Sequence, residues 1–331
     1  MLLISTRLIK EEAEARGWHV EALDERFIST LAITPPGDRT YYFDSAQPPF
    51  TSASAVIIAD NKLATYLIAK KLGIPVADFV MHDPKNPAAS EAFLREQVAA
   101  GHEIVVKPID TNHGDGITVG VKTAEEFAYA MEHATQVSRK ILLQRRAHGV
   151  DCRVLVVNGR VLAAARRDPA NVIGDGVHTV DELITLENNH PTLRGQGYEA
   201  VTAKTKIDHE GARRYLGERI HEVPAKGERV EVVAVANISK GGEATDITDE
   251  LHSSYAEAAL NITKALDMYL CGVDFLATDP TKPLTPETGI LLEINATPGL
   301  RMHHYPSHGS PRQVARAILD GLSDKIASTI G

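Results

Sequence analysis

Cysteine is scarce. Two residues in 331, Cys152 and Cys271, exclude a disulfide-framework protein. Both lie beside aliphatic or β-branched runs, which predicts reduced core thiols of a cytoplasmic protein. Positive charge is also short. Lys and Arg total 35 against 44 Asp and Glu, a net charge of −9, and no basic patch marks a nucleic-acid partner. Apolar runs fall far below the roughly 20 residues of a membrane span, so no membrane partner is expected. The opening "MLLISTRLIKEEAEARG" has acidic residues where a secretion signal needs an unbroken apolar stretch. Internal repeats and low-complexity tracts are missing too. What remains is ordinary for a globular chain: 43% hydrophobic, 24% charged, and long enough for two or three subdomains.

The pattern of elements predicts a mixed α+β, α/β chain. "TRLIKEEAEARG" reads as a helix closed by Gly17, "HVEAL" as a strand, and "ITPPGDRTYYF" as a hairpin. A new unit begins near residue 55, with "AVIIAD" as a strand and "NKLATYLIAKKLG" as a helix ending at Gly73. Next come a strand "EIVVKP", a glycine loop "NHGDG", a strand "ITVGV", a helix "TAEEFAYAMEHA" and a strand "ILLQR". Asn158-Gly159 joins two strands in "CRVLVVNGRVLAAA". Residues 169–208 are polar and rich in Gly, Asn and Asp around one helix, "TVDELITLEN", which suggests a lid. A helix over 253–267, strands "CGVDFLA" and "GILLEIN", and a helix "PRQVARAILDGL" complete the chain.

Two clusters carry chemistry. "VVKPIDTNHGDGITVGV" sets Gly114 and Gly116 between two strands, with Lys107 on the strand that enters the loop. A Walker loop would lead into a helix, so that reading fails. A β-loop-β glycine turn can instead offer backbone N–H groups to phosphates, with Lys107 as a point charge. The plain alternative is a hairpin turn with a chance lysine. The second cluster is Asp274 on one strand and Glu293 with Asn295 on the next. Glu293 and Asn295 are two apart, so both point to one strand face, and oxygen donors of this kind suit Mg²⁺. Each alone also fits a strand end meeting solvent. His303, His304 and His308 follow, but their spacing matches no familiar zinc pattern.

Together these motifs resemble the ATP-grasp ligases over roughly residues 55–325. The markers are "DNKLAT", "VVKPIDTNHGDGITVGV", "LLQRRAHGVDCRVLVVNGRV", "GVDF" and "LLEINATPGLRMHHYPS". The chain is similar in particular to the ATP-grasp domains of cyanophycin synthetases and of fused bacterial glutathione synthetases. "GDGVHTVDELI", "TKIDHEGARRYL" and "ANISKGGEATDITDELH" carry the cyanophycin synthetase likeness. The resemblance implies an ATP-grasp fold in which two α/β subdomains grip ATP. Its expected boundaries are a short N-terminal α/β segment over 1–54, a small subdomain over 55–138, and a large subdomain over 139–331 with a mobile lid near 169–208.

The implied reaction joins a carboxylate to an amine through an acyl phosphate, releasing ADP and phosphate. By position, Lys62 and Lys107 would touch the nucleotide phosphates, with His113, Gly114 and Gly116 in the loop over them. Gln144, Arg145 and Ala147 would lie in the hinge beside adenine, and Asp151 near the ribose. Gln144 stands where many relatives have Glu. Asp274, Glu293 and Asn295 would hold one or two Mg²⁺, with Mn²⁺ as an alternative. Arg301, just past the Pro298-Gly299 turn, is expected to grip a substrate carboxylate, because guanidinium pairs bidentately with that shape. Arg153 and Arg166, on the predicted hairpin, are expected at the transferred phosphate or the substrate. A solvated strand edge fits Arg166 or Arg167 individually about as well. The small-molecule carboxylate and amine are expected to be amino acids or short peptides, and a homo-oligomer is compatible with all of this. The larger N-terminal and Mur-ligase-like parts of cyanophycin synthetases have no counterpart in these residues, so a single ligation is the expectation. The rival readings are a regulatory ATP-binding protein and a carboxylate kinase.

Overall fold

The structure is a computed structural model that describes residues 2–24, 29–109, 116–190, 194–195, 201–202 and 204–330. The N-terminal segment begins with α1 (Ile4–Ala15), whose buried stripe of Ile4, Leu8 and Ile9 repeats at helical spacing. Three antiparallel strands follow, β1 (His19–Ala22), β2 (Thr30–Thr34) and β3 (Tyr41–Asp44). The Pro-Pro-Gly-Asp turn joins β2 to β3 as the sequence predicts.

The next segment corrects one expectation. "AVIIAD" belongs to a helix, α2 (Ala53–Ala59), capped by Ser52, whose side chain accepts from Ala55 N. A short apolar run reads the same as strand or helix, and here the cap decides. Helix α3 (Lys62–Lys71) starts on an Asn61 cap. Then come β4 (Phe79–Met81), α4 (Ala88–Ala99), β5 (Ile104–Pro108), β6 (Thr118–Val121), α5 (Ala124–Val137) and β7 (Ile141–Arg145). These strands form an antiparallel sheet in the order β4-β7-β5-β6. Alternation divides its faces. Ile104, Val106, Ile141 and Leu143 pack into one core with α4 and α5, which leaves Lys107 and Gln144 on the opposite face.

The larger unit begins with β8 (Val150–Val157) and β9 (Arg160–Asp168), joined at Asn158 and Gly159, both at positive φ (46° and 71°). It continues through β10 (Asn171–Ile173), α6 (Val180–Asn189), β11 (Arg194–Gly195), β12 (Lys204–Thr205), α7 (His209–Leu216) and β13 (Arg229–Glu231). It ends with β14 (Glu243–Asp246), α8 (Ser253–Ala265), β15 (Leu270–Ala277), β16 (Gly289–Asn295), α9 (Arg301–His304) and α10 (Val314–Ile330). Its sheet has the order β14-β9-β8-β15-β16. Cys152, Val154, Cys271, Val273 and Phe275 face a core shared with α2, α3 and α8. Leu155, Val157, Ala163 and Leu270 face the other way, under α1, α10 and the N-terminal strands. Both cysteines are buried free thiols, as expected, and burial pushes each up to about 12.

The stretch expected to hold one helix amid weak structure folds further than that. Ala170, Val172, Leu183, Ile184, Ile207, Leu216 and Val232 close a separate apolar core. The sequence reading saw α6 but missed α7 and the short strands around it, whose residues are too few and too polar to show a period.

Candidate active site

On β5, Lys107 lies on the face opposite the α4/α5 core and is only 5% exposed. Its Nζ donates to Gln144 Oε1 at 2.6 Å and to the Tyr66 hydroxyl at 3.0 Å. Both partners are neutral, and no carboxylate pairs with this ammonium among the described residues. A buried charge without an opposite charge is costly, and an anion placed here would relieve that cost. Gln144 adds to this. Its Oε1 is committed to Lys107, and its buried Nε2 donor has no partner among the described residues. Tyr66 passes the link onward, donating to the Leu292 carbonyl at 2.8 Å. Leu292 is the extra residue of a β-bulge between β15 and β16, so its carbonyl needs this outside donor.

Residues 144–147 end β7 and begin the link to β8, the connection between the two sheets. Arg145 N donates to Asp78 O at 2.8 Å and Arg146 N to Glu103 O at 2.8 Å. Gly149 then crosses the end of β15 at φ 147°, where an added Cβ would lie 2.4 Å from the Ala277 carbonyl oxygen. Lys62 opens α3 and lies within electrostatic reach of Glu293. Gly116 is the first described residue after the glycine loop and packs against Pro108. His113 and Gly114 lie outside the described residues.

The second half of the site is on the large sheet. Register places Asp274 opposite Arg153 on one side and opposite Glu293 on the other, with Asp151 opposite Arg167. Facing partners share a sheet face. Asp274 is fully buried, and Arg153 forks onto it with Nε to Oδ1 and Nη2 to Oδ2, both 2.6 Å. Gly272 makes room, since a Cβ there would stand 3.3 Å from Arg153 Cδ and Nε. Arg167 bridges Asp151 Oδ1 (3.0 and 2.5 Å) and Asp274 Oδ2 (2.7 Å). Asn295 Nδ2 donates to Asp274 Oδ2 at 3.3 Å.

Burial opposes ionisation of Asp274, but the Arg153 and Arg167 guanidiniums win and hold its carboxyl low. Glu293 goes the other way. Burial and then the neighbouring Asp274 charge push it up, and it makes no ion pair among the described residues. Burial raises Asp151 to about 6, with Asp274 adding and Arg167 opposing.

Whether these residues fit a cation turns on that imbalance. Two carboxylates face each other in register and one lacks a countercharge, which a divalent cation would relieve. Among the described residues no group of three or more His, Cys, Asp or Glu could hold a metal. The protein therefore offers two carboxylates and one amide, a set that fits Mg²⁺ completed by phosphate oxygens and water. It does not fit a structural zinc site. His303 and His304 are buried, and burial pushes them down to about 3 and about 4. His304 Nε2 accepts from Ala315 N at 3.1 Å. His303 Nε2 is buried without a partner.

Helix α9 packs on the sheet face of Arg153, with Met302 against the core of Ala165, and its Arg301 is wholly buried. Its Nη2 donates to the Thr202 carbonyl at 2.5 Å, tying α9 to the segment that Lys204 anchors on Glu243 at 2.5 Å. Sequence reasoning missed two members of the site. Tyr66 gives no signal beyond helical spacing, and the sequence points to Arg166 where the structure brings in Arg167. Arg166 instead turns outward and pairs with Asp168 at 3.0 Å.

Comparison with known proteins bears on the fold. Residues 76–174 match the family model "Prokaryotic glutathione synthetase, ATP-grasp domain". The chain is 38% identical over 325 residues to cyanophycin synthetase of Nostoc sp., covering 96% of this chain and 35% of that protein. It is 33% identical over 327 residues to the glutathione biosynthesis bifunctional protein of Pasteurella multocida, covering 96% of this chain and 42% of that protein. It thus spans well under half the length of these relatives. The crystal structure of the bifunctional glutathione synthetase from Pasteurella multocida superposes with a TM-score of 0.71 at 33% identity, over 98% of this chain and 44% of that one. D-alanine–D-alanine ligase from Bacillus anthracis shares the fold at 12% identity, with a TM-score of 0.50 over 85% of this chain and 72% of that one. The chain has the ATP-grasp fold.

Proposed function

We propose that this ATP-grasp chain is an ATP-dependent carboxylate–amine ligase. It forms an amide bond through an acyl phosphate and releases ADP and phosphate, with amino acids or short peptides as substrates. The observation that carries the reading is the link between two complementary half-sites. A buried lysine without a carboxylate partner connects through Tyr66 to the strand that presents an undercompensated carboxylate pair.

The roles follow from charge. Substrate carboxylate and terminal phosphate are both anions, so their approach must be neutralised. Lys107, Lys62 and the backbone N–H groups of the loop from His113 and Gly114 to Gly116 would hold the phosphates. Gln144 Nε2 would supply a donor to the base, with Arg145 and Ala147 beside it, and Asp151 would accept from the ribose. Asp274, Glu293 and Asn295 would hold Mg²⁺ or Mn²⁺, which supplies Lewis-acid neutralisation of the phosphate oxygens. Arg153, already forked onto a carboxylate, would face the transferred phosphoryl group. Arg301 would exchange the Thr202 carbonyl for a substrate carboxylate, a better partner for a planar fork. The segment around Thr202 would cover the site and keep water from the acyl phosphate. A cytoplasmic location completes the reading.

The test is an ADP-release screen over pairs of amino acids and dipeptides, with mass spectrometry of the products. The ligase reading predicts ADP, phosphate and an amide for one pair. A released phosphorylated acid would favour a kinase, and ATP binding without turnover on any pair would favour a regulatory protein.

A further inference from the structure

We propose that Arg167 is a positioning residue that holds the cation's place on Asp274 and steps aside to Asp151 when the cation binds. The inference rests on the reading of Asp274, Glu293 and Asn295 as the cation site.

A carboxylate has about four acceptor positions. Asp274 accepts two bonds from Arg153, one from Arg167 and one from Asn295. Three of the four crowd onto Oδ2, and among the described residues Oδ1 holds Arg153 Nε alone. Asn295 Nδ2 reaches both Asp274 Oδ2 and Glu293 Oε1, so a cation shared by these three residues takes its Asp274 lone pair from Oδ2. Even with the Asn295 amide turned to offer its oxygen, two guanidiniums fill the lone pairs of Oδ2, so one of them must leave. The two arginines differ in how easily they can. Arg153 places both arms of its fork on this one carboxylate and lies against Gly272. Arg167 touches Asp274 through Nη2 alone, and that nitrogen together with Nε also reaches Asp151 Oδ1 at 2.5 and 3.0 Å. Letting go of Asp274 takes one bond from Arg167 and leaves its pair with Asp151 intact.

The charges point the same way. With Arg167 on Asp274, the buried carboxylate is compensated before any metal arrives, so the fold need not hold a bare anion there. A cation on Oδ2 takes over that compensation, and repulsion between the cation and the guanidinium drives Arg167 onto Asp151. Asp151 is then the parking carboxylate of Arg167. Its own effect on the cation passes through that arginine.

The experiment measures Mn²⁺ affinity by electron paramagnetic resonance of the free ion on the full chain, with ADP saturating for each variant so that loss of the ribose contact of Asp151 does not enter. Removing the competitor in Arg167→Gln should tighten Mn²⁺ binding by about fivefold or more, and removing its parking place in Asp151→Asn should weaken it by about threefold or more. The double variant decides between this mechanism and simple through-space charge. If Asp151 acts through Arg167, Asp151→Asn changes Mn²⁺ affinity by less than about twofold in the Arg167→Gln background. Independent, additive effects of the two substitutions would overturn the inference and leave the cation reading standing. Wild-type protein that takes up no Mn²⁺ would overturn both. Circular dichroism checks folding. Should Arg167→Gln fail to fold, Asp151→Asn alone still decides, because unchanged or tighter Mn²⁺ binding in it contradicts the inference.

Discussion

Two buried charges, Lys107 on the small sheet and Asp274 on the large one, are kept in opposite ways. Lys107 is surrounded by neutral groups, a phenol and an amide oxygen. Asp274 is gripped by two guanidiniums and an amide. A neutral cage leaves the ammonium's charge to be met by a ligand. A cationic cage satisfies the carboxylate in advance and makes it available only by exchange. The first arrangement suits a group that waits for phosphate, and the second a group that must survive burial until a metal replaces its partners.

Lys107→Met breaks the comparison most severely. It keeps the length, removes the charge and should lower turnover by about 10³-fold or more, since a preorganised donor to a developing anion carries that order of rate. Steady-state ADP release checks it, and a loss under tenfold would show that the neutral cage has no phosphate to wait for. Glu293→Gln strikes the other side. It should slow turnover by roughly 10²-fold, with part of the rate recovered at high Mg²⁺ by mass action. Rate against Mg²⁺ reads this directly, and unchanged Mg²⁺ dependence would return Glu293 to a plain strand-end residue.

Tyr66→Phe sharpens the comparison by cutting the link between the two halves. It strands the Leu292 carbonyl and takes one partner from Lys107. Urea denaturation should show a loss of about 1–3 kcal/mol, the usual result of leaving a buried polar group unmade. Glu103 offers a less buried contrast to Asp274. It too sits between two cations, Lys122 at 2.5 Å and Arg146, and they hold it down near 2. A depressed folded pKa stabilises above the unfolded value and loses that stabilisation as pH falls toward the folded one. The Tm difference between wild type and Glu103→Gln should therefore be small, present above about pH 5, and gone near pH 2. A difference that grows on acidification would contradict the ion-pair account.

Much of this was legible in the sequence. Lys107, Asp274, Glu293 and Asn295 stand out because strand parity fixes their faces once the strands are recognised. The choice between Arg166 and Arg167 was not legible, and the reason is one residue. A hairpin closed by Asn158-Gly159 and run without interruption puts Arg166 opposite Asp151. A bulge between Leu155 and Val156 shifts the register, so Arg167 takes that place and Arg166 turns outward. No local pattern announces such a bulge. The same limit applies to β16, where the bulge at Leu292 creates the carbonyl that Tyr66 satisfies. The helix α2 was misread because its apolar run carries no period. The glycine-loop residues His113 and Gly114, central to the sequence reading, lie outside the described residues.

In the proposed reaction the carboxylate of one substrate attacks the terminal phosphate of ATP. Oxygen tracing follows that step. The acid identified in the product screen is labelled with ¹⁸O in its carboxyl group and turned over with ATP, and the released phosphate is analysed by mass spectrometry. The account predicts that one labelled oxygen per amide formed appears in inorganic phosphate, with ADP as the nucleotide product. Label found in AMP, or phosphate free of label while amide accumulates, would contradict it.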